Sequence, residues 1–302
     1  MSERTVVAWD GTEPARAALD WAIEREFDRN GTVDLVQVVD DTKVSSDYLA
    51  TERMLARAHE QVDAEALRIH HRAPKLTLNT RILPGDPYDE LLTFTGPDAM
   101  LVVGTGVRGG LRTKYGWSLG ARLAAAAHGP VVIVPVDTRD SERSDVCVGI
   151  DGTHIGNLAL GFAAREASRR GETLHIVHAW MEPLAWQQGA VPDDDLVDSL
   201  EAAHQDVLDQ ALEIIATTHS SVNVKAHLVR EDPAIALLRL AESAALLVVG
   251  TRQRRGLSRA WLGSVSHTVI LDIVSPTAII SPEEHDVEGP SALRGRDDVT
   301  RA

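Results

Sequence analysis

The chain has 302 residues, 44% of them hydrophobic and 25% charged, a length and balance that suit two soluble domains with cores of their own and exclude a disordered polymer. Its formal net charge of −15 argues against a nucleic-acid surface or adhesion to anionic lipid, both of which need concentrated Lys and Arg. With a single cysteine, Cys147, no intrachain disulfide or Cys-based zinc site can form, and no apolar run reaches the roughly 18 residues that span a bilayer.

From the first residues the chain runs directly into a strand-like segment, Thr5–Trp9, with no signal-peptide layout, so the cytoplasm is the expected compartment. Further strand-like runs follow at Val33–Val39, Leu76–Leu83, Ala99–Val103 and Val131–Val134. Ala-rich segments of helical period separate them at about 14–29, 49–72, 87–94 and 117–127. The polar stretch 137–145 reads as a linker. Beyond it strand-like runs recur at about 145–150, 173–180, 222–229, 245–249 and 277–280, again alternating with helical segments. The tail after Pro282 is acidic and polar, has little to bury and is expected to be mobile.

The two halves are copies. LVVGT at 101–105 recurs 146 residues later at 247–251, and the same displacement carries Asp86-Pro87 onto Asp232-Pro233, Ser118 onto Ser264 and Pro130 onto Pro276. Near the front, Asp10-Gly11-Thr12 recurs 141 residues later as Asp151-Gly152-Thr153, so the second copy has gained a net five residues, placed at 181–195. A period this long is a duplicated domain and not a solenoid. Domain one is expected over 1–137 and domain two over 145–282. The nearly continuous apolar strands and the βαβ alternation predict an α/β chain of two tandem doubly wound parallel five-stranded sheets, with ligands beyond the carboxyl ends of the strands.

In the second copy two loops leave those strand ends. Gly149-Ile150-Asp151-Gly152-Thr153 offers a carboxylate that can accept from ribose hydroxyls and a glycine that admits a ligand to the backbone; the plainer reading is a helix cap. The second loop runs from Gly250 to Ser266 and leads into a helix starting near Ser264. Free N–H groups at that start, Gly263, the Ser264 and Ser266 hydroxyls, and Arg252, Arg254, Arg255 and Arg259 together suggest an anion site, against the alternative of a solvated basic loop.

At these residues the chain resembles the universal stress protein family, whose domain has the adenine nucleotide alpha hydrolase-like fold. The family carries Val-Asp-Gly-Ser after its first strand, matched by Val148-Gly-Ile-Asp-Gly-Thr153. After its fourth strand it carries Gly, two residues, Gly, nine residues and Gly-Ser; Gly250, Gln253 in place of the second glycine, and Gly263-Ser264 match this. The resemblance implies ATP as ligand, alone or with Mg²⁺. It implies Asp151 near the ribose, Ala179 near adenine, Gly250 at the ribose–phosphate, and Gly263, Ser264, Val265 and Ser266 at the phosphates.

The first copy departs from that pattern. Ala8 stands for Gly149, Val107 for the second motif glycine and Trp117 for Gly263, while Asp10 and Gly104 are retained. Its site, formed by Ala8, Asp10, Val39, Gly104 and Ser118, is expected to be weak or empty. Gly116-Trp-Ser118-Leu-Gly120 spells a nucleophile elbow, but such a serine must follow a strand directly and this strand ends near Gly104, so the string is expected to be inert. His175 and His178 point to opposite faces of a strand, adjacent His70 and His71 are equally unsuited to share an ion, and no side-chain motif for a metal emerges.

The apolar last strands, Val131–Val134 and Ala278–Ile280, would lie at sheet edges that need cover. Single-domain relatives commonly dimerise through this strand. The resemblance thus implies an intramolecular pair of domains about a pseudo-two-fold axis, with a further homodimer left open. The expected function is a nucleotide-binding, stress-response regulatory module and not an enzyme; a nucleotide-free partner-binding protein and a slow ATPase stand as alternatives.

Overall fold

The computed structural model describes residues 4–27, 31–42, 48–106, 118–136, 143–183, 186, 193–252 and 262–282. Val107, Gly116, Trp117, Gln253, Arg254, Arg255, Arg259, Trp261, most of the linker and of the 181–195 insertion, and the tail after 282 lie outside those residues.

The first half comprises β1 (Arg4–Trp9), α1 (Glu13–Phe27), β2 (Thr32–Val39), α2 (Tyr48–Arg72), β3 (Thr77–Pro84), α3 (Pro87–Leu92), β4 (Ala99–Thr105), α4 (Leu119–Ala126) and β5 (Val131–Pro135). The second comprises β6 (Ser144–Gly149), α5 (His154–Arg170), β7 (Leu174–Trp180), α6 (Asp194–Thr218), β8 (Val224–Arg230), α7 (Pro233–Ala241), β9 (Ala244–Gly250), α8 (Ser264–Leu271) and β10 (Thr277–Ile280). The bounds of all ten strands and of the first-half helices fall within two residues of the runs read from the sequence.

The strands form one ten-stranded sheet in the order β3-β2-β1-β4-β5-β10-β9-β6-β7-β8. Within each half every pairing is parallel, and the halves meet through the one antiparallel pairing, β5 with β10. That pairing is centred on Val132 opposite Ala278, two residues separated by the repeat displacement, with Val131 opposite Ile279 and Ile133 opposite Thr277 on either side. Strand side chains alternate between two cores that each run through both halves. Val7, Val102 and Val248 join α1, α2, α5 and α6 on one face; Val6, Leu101 and Leu247 join α3, α4, α7 and α8 on the other.

Helix starts follow from local chemistry. Asp86 caps α3 through Tyr88 N (2.8 Å) and Asp232 caps α7 through Ala234 N (2.9 Å), each with proline in the first turn, where its missing N–H costs no bond.

Where α1 meets α5 the sequence reading foresaw nothing, and the structure places its most buried ion pair among the described salt bridges. The Arg25 side chain is 2% exposed and that of Glu166 1%. The guanidinium forks onto the carboxylate, Nε to Oε2 at 3.0 Å and Nη2 to Oε1 at 2.7 Å. Its remaining arm donates to Glu26 Oε1 (2.5 Å) and Thr5 Oγ1 (3.0 Å), and Arg169 donates to Glu166 Oε1 at 2.9 Å. Burial alone pushes the Glu166 carboxyl up, but Arg25, Arg169 and Arg170 outweigh it and hold the group below its ordinary value.

Glu166→Ala leaves a buried guanidinium without its main partner, and should lower unfolding free energy by about 3–5 kcal/mol. A urea midpoint unchanged from wild type would contradict this account. Because the folded value is depressed, the Glu166 contribution is complete above the ordinary glutamate value of about 4.3 and is lost as pH falls through the lower folded value. Acid unfolding of Glu166→Ala should therefore depend less steeply on pH than that of wild type, when both are followed by circular dichroism.

Candidate functional site

In the second half a cleft of about 610 Å³, counted to its open mouth, lies beyond the carboxyl ends of β6, β7 and β9. The doubly wound order assigns ligands to that position. Its walls are largely apolar, from Ile150, Ile155, Ala179, Pro233, Leu237, Val249 and Val265; its polar side chains are Asp151, Thr153 and Arg252.

The turn after β6 is shaped by Gly152 at φ +72°, a left-handed conformation that glycine adopts freely, and Gly11 repeats it at +78° after β1. Asp151 Oδ1 accepts from Thr153 N (3.1 Å) and Thr153 Oγ1 (2.5 Å), and Thr153 in turn caps α5 by accepting from Gly156 N at 3.2 Å. The plainer capping role of this triplet is therefore realised. The second Asp151 oxygen, Oδ2, takes a hydrogen bond from Arg252 Nη2 at 2.8 Å. Burial pushes the Asp151 carboxyl up, but the Thr153 hydroxyl and amide and the Arg252 guanidinium together hold it below its ordinary value.

Of the residues read from the sequence, Gly149, Asp151, Ala179, Gly250, Arg252 and Val265 line this cleft. Both lining glycines also serve packing. A Cβ on Gly149 would stand 2.7 Å from Leu237 Cδ1, and one on Gly250 2.8 Å from Ile155 Cγ2. Gly263 and exposed Ser264 open α8 immediately before Val265. Ser266 turns inward instead: it is 1% exposed, and its hydroxyl donates to Gly263 O at 3.1 Å and lies 3.4 Å from Thr251 Oγ1. It positions the helix start and does not face the cleft. Gln253 lies outside the described residues.

In the first half Asp10 keeps the same turn, with Thr12 N at 2.9 Å and Thr12 Oγ1 at 2.6 Å. Ala8 packs against the core, and Val39, at the end of β2, is buried like its equivalent Trp180, while half-buried Val38 stands at the position of Ala179. Gly104 is pressed so closely by the α1 start that a Cβ would stand 1.9 Å from Pro14 O. Ser118 caps α4, accepting from Ala121 N at 3.2 Å; its position starts a helix and does not form a strand-end elbow.

Sequence reasoning missed a pair of imidazoles behind the cleft. His178 is buried, with Nδ1 3.0 Å from Ile150 O and Nε2 2.9 Å from His204 Nδ1, and Trp180 stacks on His204 with ring centroids 4.4 Å apart. The pair ties α6 to the strand end that carries Asp151. On the other sheet face His175 bonds His227 (3.0 Å) and Asp145 (3.2 Å). Among the described residues no group of three or more His, Cys, Asp or Glu side chains could hold a metal ion. No helix among them is long and apolar enough to cross a membrane.

Comparison with known proteins agrees with this architecture. A model of the universal stress protein family matches residues 1–135 and again 142–281. Universal stress proteins of Mycobacterium bovis and Mycolicibacterium smegmatis are each 28% identical to the chain; the first alignment covers 91% of this chain and 93% of the relative, the second 92% and 96%. The crystal structure of a universal stress protein from Archaeoglobus fulgidus superposes with a TM-score of 0.72 at 20% identity, covering 93% of this chain and 99% of that one. The chain therefore belongs to the universal stress protein family and carries two of its domains in tandem.

Proposed function

We propose that this protein is a cytoplasmic regulatory module that binds ATP in its second domain, while its first domain serves mainly as a structural partner. The observation that carries this reading is the start of α8. The N-cap residue there, Gly263, offers no side-chain acceptor, so among the described residues no side chain caps the first N–H groups of α8, beside Val265 of the cleft. The corresponding start of α4 is sealed by the Ser118 hydroxyl. Unsatisfied N–H groups and the positive end of the helix dipole favour a phosphate. The apolar walls suit the faces of an adenine ring, and Asp151 is an acceptor within reach of a ribose.

Regulatory binding suits this site better than catalysis. Asp151 is the carboxylate lining the cleft, and hydrogen bonds that hold it ionised make it a weak general base. The β5–β10 pairing supports reading domains 1–137 and 145–282 as an intramolecular counterpart of a two-chain dimer, their sites related by a pseudo-two-fold axis. Further self-association would use other surfaces.

Calorimetry, with and without Mg²⁺, should find one ATP per chain. Gly263 has φ −60° and ψ 158°, open to any residue, and a Cβ there meets nothing closer than Ser266 Oγ at 3.5 Å. Gly263→Asp should thus fold at least as stably as wild type, because it supplies a cap. Its carboxylate should weaken ATP binding about tenfold or more through like-charge repulsion. Absence of ATP binding to the wild type would defeat the reading; so would full binding by Gly263→Asp.

A further inference from the structure

The polar groups at the mouth of the cleft are already engaged with one another. Asp151 Oδ1 is held by Thr153, and Thr153 is committed to Asp151 and to the α5 start. Asp151 Oδ2 is held by Arg252. A ligand that seats a ring on the apolar walls and offers ribose hydroxyls to Asp151 has to displace Arg252. For a neutral nucleoside that exchange loses an ion pair and returns only neutral donors. For a nucleotide it is balanced: the guanidinium leaves a carboxylate and finds a phosphate, whose geometry it matches with two parallel N–H groups. Arg252 is placed for the transfer. Its neighbour Thr251 receives the Gly263 N–H at 3.4 Å, so the arginine stands at the base of the α8 start where phosphate is expected. The pair is solvent-accessible, with side chains 63% and 53% exposed, so parting it is cheap enough for an incoming ligand to achieve. The equivalent position of the first domain cannot make this exchange: Asp10 keeps its threonine bonds, but Gly106 stands where Arg252 stands in the second.

We propose that Arg252 is the specificity-determining residue of the second-domain site, handing over from Asp151 to a ligand phosphate so that the cleft takes phosphorylated nucleosides in preference to neutral ones. This rests on the nucleotide reading above and adds to it the ligand class and the residue that selects it.

The test is calorimetry of adenosine, AMP and ATP with wild type and Arg252→Met, which keeps the apolar stem and removes the charge. Arg252 is exposed and outside the cores, so the variant should melt with wild type. Wild type should bind AMP and ATP more tightly than adenosine. In Arg252→Met the nucleotides should weaken roughly tenfold, the scale of a charge-assisted contact. Adenosine should gain up to about fivefold, the scale of one exposed ion pair. Opposite movement of the two ligand classes is what a merely structural arginine would not produce. If both classes change by one common factor, or neither changes, the exchange is wrong while the nucleotide reading stands. If none of the three ligands binds either protein, the nucleotide reading fails and the exchange with it.

Discussion

The arrangement of the whole chain turns on the buried fork between Arg25 and Glu166. These residues are 141 positions apart, the displacement that relates the front of one copy to the front of the other, so they are equivalent positions in α1 and α5. A two-fold contact sets a position on its axis against its own copy. Between two identical chains that would bury arginine against arginine or glutamate against glutamate. A duplicated chain can let the copies diverge, and here they have diverged into opposite charges held out of water at 2% and 1% exposure. At such burial an unmatched charge costs several kcal/mol, so the fork acts less as added stability than as a selector of one pairing of the halves. The sheet agrees with it: β5 and β10 cross at the equivalent residues Val132 and Ala278, so helices and strands share one axis.

Divergence elsewhere follows the same logic with a different outcome. The strands and the helices covering them supply two cores that run through both halves, and these tolerate little change. The strand-end loops bury little, and there the copies have parted. Ser118 seals one helix where Gly263 supplies no cap, and Gly106 stands for Arg252. Even the support behind the loops has changed while keeping its form. A polar pair joins the second strand of each half to its long helix, Gln37 with Gln61 at 3.5 Å in the first and His178 with His204 at 2.9 Å in the second.

Much of this was legible in the sequence because parallel strands covered on both faces read as unbroken apolar runs, and because a repeat that aligns over a hundred residues leaves few alternative organisations. The turn residues were legible for local reasons: Asp-Gly-Thr needs only its own backbone to close. What was not legible depends on packing across the chain. Gly149 and Gly250 read as openings for a ligand, yet Leu237 and Ile155 also fill the space their missing side chains leave. The resemblance implied Ser266 at the phosphates, whereas its place on the first turn of α8 aims its hydroxyl at Thr251 and Gly263 O. The Arg25–Glu166 fork had a signal, opposite charges at aligned positions of two helices, which becomes informative only once the copies are known to face each other.

The same junction fixes where the strand ends of the two halves lie. Because β5 and β10 run antiparallel, every strand of the first half runs opposite to those of the second, and the carboxyl ends of the two sets lie at opposite ends of the sheet. Loops at the strand ends of one half cannot shield or complete the cleft of the other directly. The apolar strands that would be exposed edges in isolated halves cover each other, and the strands left outermost, β3 and β8, carry Arg81, Pro84, Lys225 and Arg230, residues that discourage further pairing. The ten-stranded sheet therefore ends on two edges that resist extension. Any signal from a ligand beyond β6 and β9 has to reach the first half through the shared cores or through α5, whose first turn holds the Asp151 loop and whose last turns hold Arg25. A single rigid helix thus joins the candidate site to the interdomain lock, so that ordering one end and loading the other are events on the same element.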